Sequence, residues 1–170
     1  MTRNKKGVEN MHENFLNGMM CAGEDAPCFG FRPIDEDGNV GQYRWFSYKH
    51  VKETATEIGS GLSKLGIRTK DCIGIFSPNR IEWSYIEHAT YIYDFISVPM
   101  YDTLGVDAIK HMAEETEMTA VAIAHEKLPT FAKLWKNLPH VKVVVLFGSY
   151  PTSYSVEVPE GSQLITLDDL

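Results

Sequence analysis

Cysteine is scarce in this chain: Cys21, Cys28 and Cys72 are the three among 170 residues. They form no C-x-x-C pair, and an odd number leaves at least one thiol without a disulfide partner. This pattern favours a reducing compartment, in which all three thiols act as small apolar side chains.

Basic residues are also few. The chain has 16 Lys and Arg against 23 Asp and Glu, a formal net charge of −7, whereas a nucleic-acid interface needs clustered positive charge. We therefore expect no nucleic-acid partner, and we interpret the basic cluster at residues 3–6 as a solvated N-terminal tail. No apolar run approaches the ~18 residues of a membrane span, and no secretory signal is visible. The predicted location is cytoplasmic or peripheral to intracellular membranes.

Several catalytic motifs are missing. The sequence contains no G-x-x-x-x-G-K-S/T phosphate loop and no G-x-S-x-G elbow. Its six histidines include no i, i+3 or i, i+4 pair, so we expect no zinc site. His125, at a predicted strand end, is the one histidine placed for acid–base work, although a loop histidine without that role is the simpler interpretation. Residues 59–61 (G-S-G) lie within a predicted helix, where they would let it approach the sheet closely.

What the sequence does contain is a strand–helix alternation. Short apolar runs typical of strands covered on both faces occur four times, and helical apolar spacing follows the first three. This alternation predicts an α/β fold, a layered Rossmann- or flavodoxin-like parallel sheet with flanking helices. The four predicted strands are 72–76, 96–100, 119–124 and 141–147, and 164–167 is a possible fifth.

A different pattern precedes the sheet. Residues 1–28 are predicted to form an N-terminal arm, and residues 29–170 the main domain. Runs at 29–33 and 43–46 flank an Asp-Gly turn and predict a β-hairpin. Ser47 then suits the N-cap of a helix that Gly66 would end.

Polar residues follow the first two strands, where parallel sheets bind ligands. Asn79 with Glu82 resembles a capping box, and Asp102 or Thr103 could cap the next helix. Direct ligand contact is the alternative to capping, and Arg80 could pair with an acid or meet a phosphate. We favour the structural roles and keep six residues as candidates for lining a crevice: Ser77, Asn79, Arg80, Tyr101, Asp102 and Thr103.

Three segments carry a family resemblance: F-S-Y-K-H-V (46–51), G-I-F-S-P-N-R-I-E-W (74–83) and V-P-M-Y-D-T-L-G (98–105). They resemble long-chain fatty-acyl-CoA synthetases, which belong to the adenylate-forming, AMP-binding superfamily. P-C-F-G-F-R (27–32) and Y-R-W-F-S-Y (43–48) fit the eukaryotic-type members. The resemblance implies ligation of a long-chain fatty acid to coenzyme A through an acyl-adenylate, with ATP and Mg²⁺.

The family's phosphate loop, adenine motif, ribose-binding Asp and C-terminal Lys have no counterpart in this sequence. We therefore expect a partial domain of a larger enzyme: the first part of its N-terminal AMP-binding domain, with no catalytic, cofactor-binding or metal residues. Such a segment should be inactive alone, bind no cofactor fully and need the remainder of the enzyme as its partner. Self-association through exposed apolar surface is a further expectation. The alternative is a stand-alone module that binds an acyl chain or a protein.

Overall fold

A computed structural model describes residues 8–35, 37–101, 103–152 and 155–170. The basic cluster at 3–6 and the candidate Asp102 therefore lie outside the described residues. No helix in the described ranges has the length and apolar character to cross a membrane. In chain order the helices and strands are α1 (Met11–Ala22), β1 (Pro27–Phe31), β2 (Arg44–Ser47), α2 (Tyr48–Lys64), β3 (Cys72–Phe76), α3 (Ile81–Tyr93), β4 (Ile96–Met100), α4 (Val106–Glu115), β5 (Ala120–Ala124), α5 (Leu128–Trp135), β6 (Val143–Phe147) and β7 (Gln163–Thr166).

Strands β3 to β7 form a parallel sheet in the order β4-β3-β5-β6-β7. Every residue of β5 and β6 is buried, as expected of inner strands with helices on both faces. Strand β4 lies at one edge, with Pro99 opposite Ile75 of β3, and the four-residue β7 lies at the other. The α/β class and the parallel sheet are confirmed.

The sheet separates two apolar layers because successive side chains of a strand point to opposite faces. Ile73 and Ile75 of β3 belong to one layer, together with the buried residues of α2 and α3. Phe76, one position further on, belongs to the other layer with those of α4 and α5. The sandwich of helices around the sheet fixes the positions at which the strands end.

The predicted hairpin is also present. Strands β1 and β2 pair antiparallel, and the turn between them is closed by Asp35, whose carboxylate accepts hydrogen bonds from the backbone N–H groups of Asp37 and Asn39. The predicted arm contains α1, a helix with no fully buried residue. The boundary between arm and domain stays a prediction.

Helix ends agree with the sequence at α2 but not at α3 and α4. The Ser47 hydroxyl accepts a hydrogen bond from the backbone N–H of His50 (3.2 Å), and Gly66 has a φ of 95°, so both predictions are confirmed. Asn79 is not a cap: α3 has Arg80 at its N-cap, with no capping side chain. Helix α4 begins after Gly105, so Thr103 does not occupy its N-cap position either.

Two smaller expectations also need correction. The glycines in α2 do not bring that helix close to the sheet: a Cβ at Gly59 would meet the ring of Tyr93 in α3, and one at Gly61 would meet Leu170. Cys21 is exposed, so it does not pack as an apolar side chain. Cys28 and Cys72 are half-buried, and burial raises the pKa of each thiol.

Candidate functional site

The order in which strands are added to the sheet reverses between β3 and β5. From β3 the chain moves through α3 to β4 on one side, and from β5 it moves through α5 to β6 on the other. Ligands of open α/β sheets bind beyond the carboxyl ends of the strands at such a switch point. Ser77 follows β3 at this place, and His125 follows β5 as an exposed residue.

A depression of about 390 Å³ opens beyond the carboxyl ends of β3 and β4. It brings together three of the six candidates, which the sequence places on two separate loops. Ser77 is nearly buried, at 6% exposure, and its hydroxyl donates to the carbonyl of Pro78 (2.8 Å). The residues that line the depression are Ser77, Pro78, Asn79, Trp83, Pro99, Met100 and Tyr101.

This lining combines apolar side chains with a few polar groups. Trp83, Pro99 and Met100 supply carbon surface, and the Asn79 amide and the Tyr101 phenol supply polar groups; Asn79, Pro99 and Tyr101 are the exposed members. Tyr101 is 73% exposed. Small-molecule pockets commonly have this composition, with polar groups that fix the orientation of an apolar or aromatic ligand.

Arg80 is held by other contacts. Its Nε and Nη2 donate to the two carboxylate oxygens of Glu82 at 2.8 and 2.7 Å. The guanidinium also lies 5.6 Å from the centre of the Phe147 ring, at the end of β6. The hydrogen bond with Glu82 raises the pKa of Arg80. An anion could reach this guanidinium only in competition with Glu82, so the contacts match the ion-pair role favoured from the sequence.

The remaining candidates lie in the turn before α4. Thr103 is exposed and does not line the depression, and the carbonyl of Tyr101 accepts from the N–H of Leu104 (3.0 Å) within that turn. Asp102 lies outside the described ranges. Ligand contact by any of the six candidates stays a prediction.

Nothing in the sequence connects His50 with Tyr85. The ring nitrogen Nε2 of His50 and the Tyr85 hydroxyl are 3.1 Å apart, and Phe46 stacks on the imidazole with ring centres 4.9 Å apart. Burial raises the pKa of Tyr85 to about 12. The pair borders a second depression, of about 470 Å³, that Leu167 and Leu170 also line. No local pattern could reveal this contact between two helices.

Binding of Mg·ATP requires ligands for the metal ion and donors for the phosphates. Within the part of the chain that the structure describes, no three or more His, Cys, Asp and Glu side chains are grouped to hold a metal ion. Arg80, which the sequence offered as a possible phosphate contact, is paired with Glu82. The described residues thus contain no grouped set of ligands for Mg²⁺.

Comparison with known proteins shows the family to which the chain belongs. A family described as AMP-binding enzyme matches residues 22–165. The chain belongs to this family. The membership agrees with the resemblance carried by residues 46–51, 74–83 and 98–105, all of which lie inside the matched region.

Members of the AMP-binding family similar to this chain include several long-chain acyl-CoA synthetases. Long chain acyl-CoA synthetase 7, peroxisomal, of Arabidopsis thaliana is 32% identical over 83% of this chain and 20% of its own length. Long-chain-fatty-acid–CoA ligase 1 of Homo sapiens is 35% identical over 84% of this chain and 20% of its own length. The chain thus spans about a fifth of the length of these relatives.

Solved structures of AMP-binding enzymes share the fold. The adenylation domain of a carboxylate reductase from Mycobacterium chelonae superimposes with a TM-score of 0.77 over 98% of this chain and 29% of that domain, at 18% identity. An anthranilate CoA ligase in complex with anthranoyl-AMP gives a TM-score of 0.71 over 88% of this chain and 27% of its own, also at 18% identity. At this identity the likeness establishes the fold alone.

Proposed function

We propose that the chain is the N-terminal segment of an ATP-dependent long-chain fatty-acid–CoA ligase. The whole enzyme would convert fatty acid, ATP and coenzyme A to acyl-CoA, AMP and pyrophosphate through an acyl-adenylate. The observation that carries this proposal is the 35% identity to a human long-chain-fatty-acid–CoA ligase over 84% of the chain. A long-chain fatty acid is the proposed substrate, and Mg²⁺ and coenzyme A are the proposed cofactors beside ATP.

Within that enzyme, the segment supplies one wall of a ligand crevice. The depression lined by Ser77, Asn79 and Tyr101 combines apolar and polar side chains, which suits an acyl or nucleotide group. We assign Arg80, Asp102 and Thr103 to the margin of the same crevice.

The segment is inactive by itself. Formation of an acyl-adenylate requires donors and a metal ion around the triphosphate, where charge develops in the transition state. In the described part of the chain no three or more His, Cys, Asp and Glu side chains are grouped to hold such a metal ion. The remainder of the enzyme is therefore the partner that completes the site.

Exposed apolar side chains support an interaction with that remainder or with a second copy of the segment. Tyr43 and Trp45 are 60% and 58% exposed on the hairpin, and their rings stack on each other with centres 5.6 Å apart. The predicted location, cytoplasmic or peripheral to intracellular membranes, stays a prediction; two similar synthetases of Arabidopsis thaliana are described as peroxisomal.

The test compares two proteins purified side by side: this chain and the product of the complete open reading frame that encodes it. Each is incubated with palmitate, Mg·ATP and coenzyme A, and palmitoyl-CoA is separated and quantified. We expect palmitoyl-CoA from the longer protein and none from the chain above a control without enzyme. If the chain itself forms palmitoyl-CoA, the proposal that it is inactive alone is wrong. If the longer protein activates none of palmitate, laurate and oleate, the ligase assignment is wrong.

A further inference from the structure

Helix α1 is attached to the body of the protein through a small group of rings. Phe15 of α1 lies 4.6 Å from the imidazole of His88 on α3, measured between ring centres, and 5.4 Å from the ring of Tyr48. Phe29 of the hairpin and Tyr91 of α3 approach the same imidazole at 5.7 and 5.6 Å. Since no residue of α1 is fully buried, these ring contacts form a large part of what holds the helix.

We propose that His88 is a pH-sensitive latch, which holds α1 against α3 while its imidazole is neutral and releases the helix when the imidazole is protonated. The latch is a local device. It opens an attached helix and leaves the two apolar layers of the sheet in place.

The chemistry around His88 favours the neutral ring. Burial is the main cause that lowers its pKa, to about 4, and the nearby charge of His12 on α1 acts in the same direction. No hydrogen bond or carboxylate contributes to that shift. A protonated imidazole would therefore lose hydration among aromatic carbons without gaining an acceptor.

Other ionisable groups face the latch from the elements packed against it. Cys28, which lines the same depression as Phe15 and His88, has a pKa raised by burial. Burial, followed by a hydrogen bond with Glu87, raises the pKa of Tyr91 to about 12.

Two further groups come from α1 and α2. Tyr48 also lines that depression. Glu13 of α1 accepts a hydrogen bond from the N–H of Glu9 in its own segment. His12 is the group that a control variant removes, because its charge contributes to the lowered pKa of His88.

The sign of the pH dependence follows from the pKa of His88 when α1 is docked and when it is released. When α1 is released, His88 is exposed and titrates near its ordinary pKa of about 6.5; when α1 is docked, the value is about 4. Docking is therefore unaffected above pH 6.5 and weakens progressively as the pH falls from 6.5 toward 4. Between pH 7 and pH 5 the docking equilibrium shifts toward release by up to about 20-fold.

Release would uncover surface that α1 covers in the docked form. Phe29 and Cys28 line the depression between α1 and the body. An opening of this kind belongs to the low-energy motions that amide hydrogen exchange detects separately from global unfolding.

The experiment measures amide hydrogen exchange of the chain at pH 7 and pH 5, corrected for the intrinsic exchange rates at each pH. Wild type is compared with His88→Phe, which keeps a ring between Phe15 and Phe29, and with His88→Gln in case that ring packs poorly. His12→Gln is the control for the second histidine. Helix α5, whose Phe131 and Trp135 are fully buried, reports global opening.

We expect protection of α1 to fall at pH 5 by up to about 20-fold in wild type and in His12→Gln, with α5 unchanged. Neither His88 variant should show the fall. The latch is refuted if α1 of wild type is equally protected at both pH values, if the His88 variants lose protection as wild type does, or if α5 loses it in parallel.

Discussion

The contact between α2 and α3 depends on a glycine, and Gly59→Ala is the most direct perturbation of it. A Cβ at Gly59 would lie within 3.0 Å of three ring carbons of Tyr93, so the ring must move. It cannot move freely, because its hydroxyl donates to the carbonyl of Thr56 (3.1 Å) and its face stacks on Phe95 at 5.7 Å between centres.

The expected cost combines three contributions. Overpacking of this kind costs about 1–3 kcal/mol, and displacement of the Tyr93 hydroxyl loses a hydrogen bond with a net contribution of about 1 kcal/mol. Alanine in place of glycine within a helix regains about 1 kcal/mol. We expect a net loss of about 2 kcal/mol in the free energy of unfolding, measured by urea denaturation followed by circular dichroism.

Gly18→Ala is the matched control, because a Cβ there meets Tyr48 at an ordinary contact distance of 3.5 Å. It should leave stability unchanged or raise it by up to about 1 kcal/mol. In a Tyr93→Leu background, which removes the ring, Gly59→Ala should cost less than about 0.5 kcal/mol. If Gly59→Ala is neutral in the wild-type background, or costs as much in Tyr93→Leu, then the close approach of α2 and α3 does not explain the glycine.

Two other predictions concern the helix caps and the crevice. Ser47→Ala should lower the free energy of unfolding by about 1 kcal/mol, since it removes the acceptor for the His50 N–H, whereas Asn79→Ala should change it by less than about 0.5 kcal/mol; equal effects in urea titrations would contradict this assignment of caps. In the longer enzyme, Asn79→Ala and Tyr101→Ala should each raise the KM for fatty acid, ATP or coenzyme A about tenfold, a loss of ~1.4 kcal/mol in binding free energy. Tyr43→Ala on the hairpin is the control and should leave all three KM values unchanged. If the Asn79 and Tyr101 variants also leave them unchanged, the depression is not a substrate-binding crevice.

The strands of the sheet could be predicted because burial on two faces leaves a direct mark on sequence. Strands β5 and β6 must be apolar at every position, and their apolar runs locate them to within two residues. The predicted bounds of β3 and β4 match as well, although β4 is an edge strand with Ile96 and Pro99 exposed. The N-cap at Ser47 was predictable for a similar reason, since the contact that defines it spans three residues.

Capping failed at α3 because a side chain had a better partner. The pattern of Asn79 and Glu82 fits a capping box, but Glu82 binds the guanidinium of Arg80 through both carboxylate oxygens. A bidentate pair of this kind is among the stronger polar contacts. The capping-box pattern considers only Asn79 and Glu82, so it takes no account of Arg80 between them. Local sequence cannot rank such competing partners.

Contacts between elements distant in sequence were not predictable. The buried face of α3 includes Tyr85 and Thr90, whereas the apolar Ile81 and Trp83 are only half-buried. This helix is covered by α2, by the hairpin and by α1, so apolar residues occur on several of its sides. The positions of Tyr93 against Gly59 and of Phe15 against His88 depend on that tertiary arrangement alone.

The two edges of the sheet have a consequence for how copies of the chain can associate. An exposed strand edge is a template onto which another strand can add. Proline has no N–H group to donate, so Pro99 interrupts the row of donors along β4, and β7 offers only four residues at the opposite edge. Growth of fibrils by strand addition is disfavoured at both ends of the sheet. Copies of the chain that do associate are therefore expected to meet through side chains.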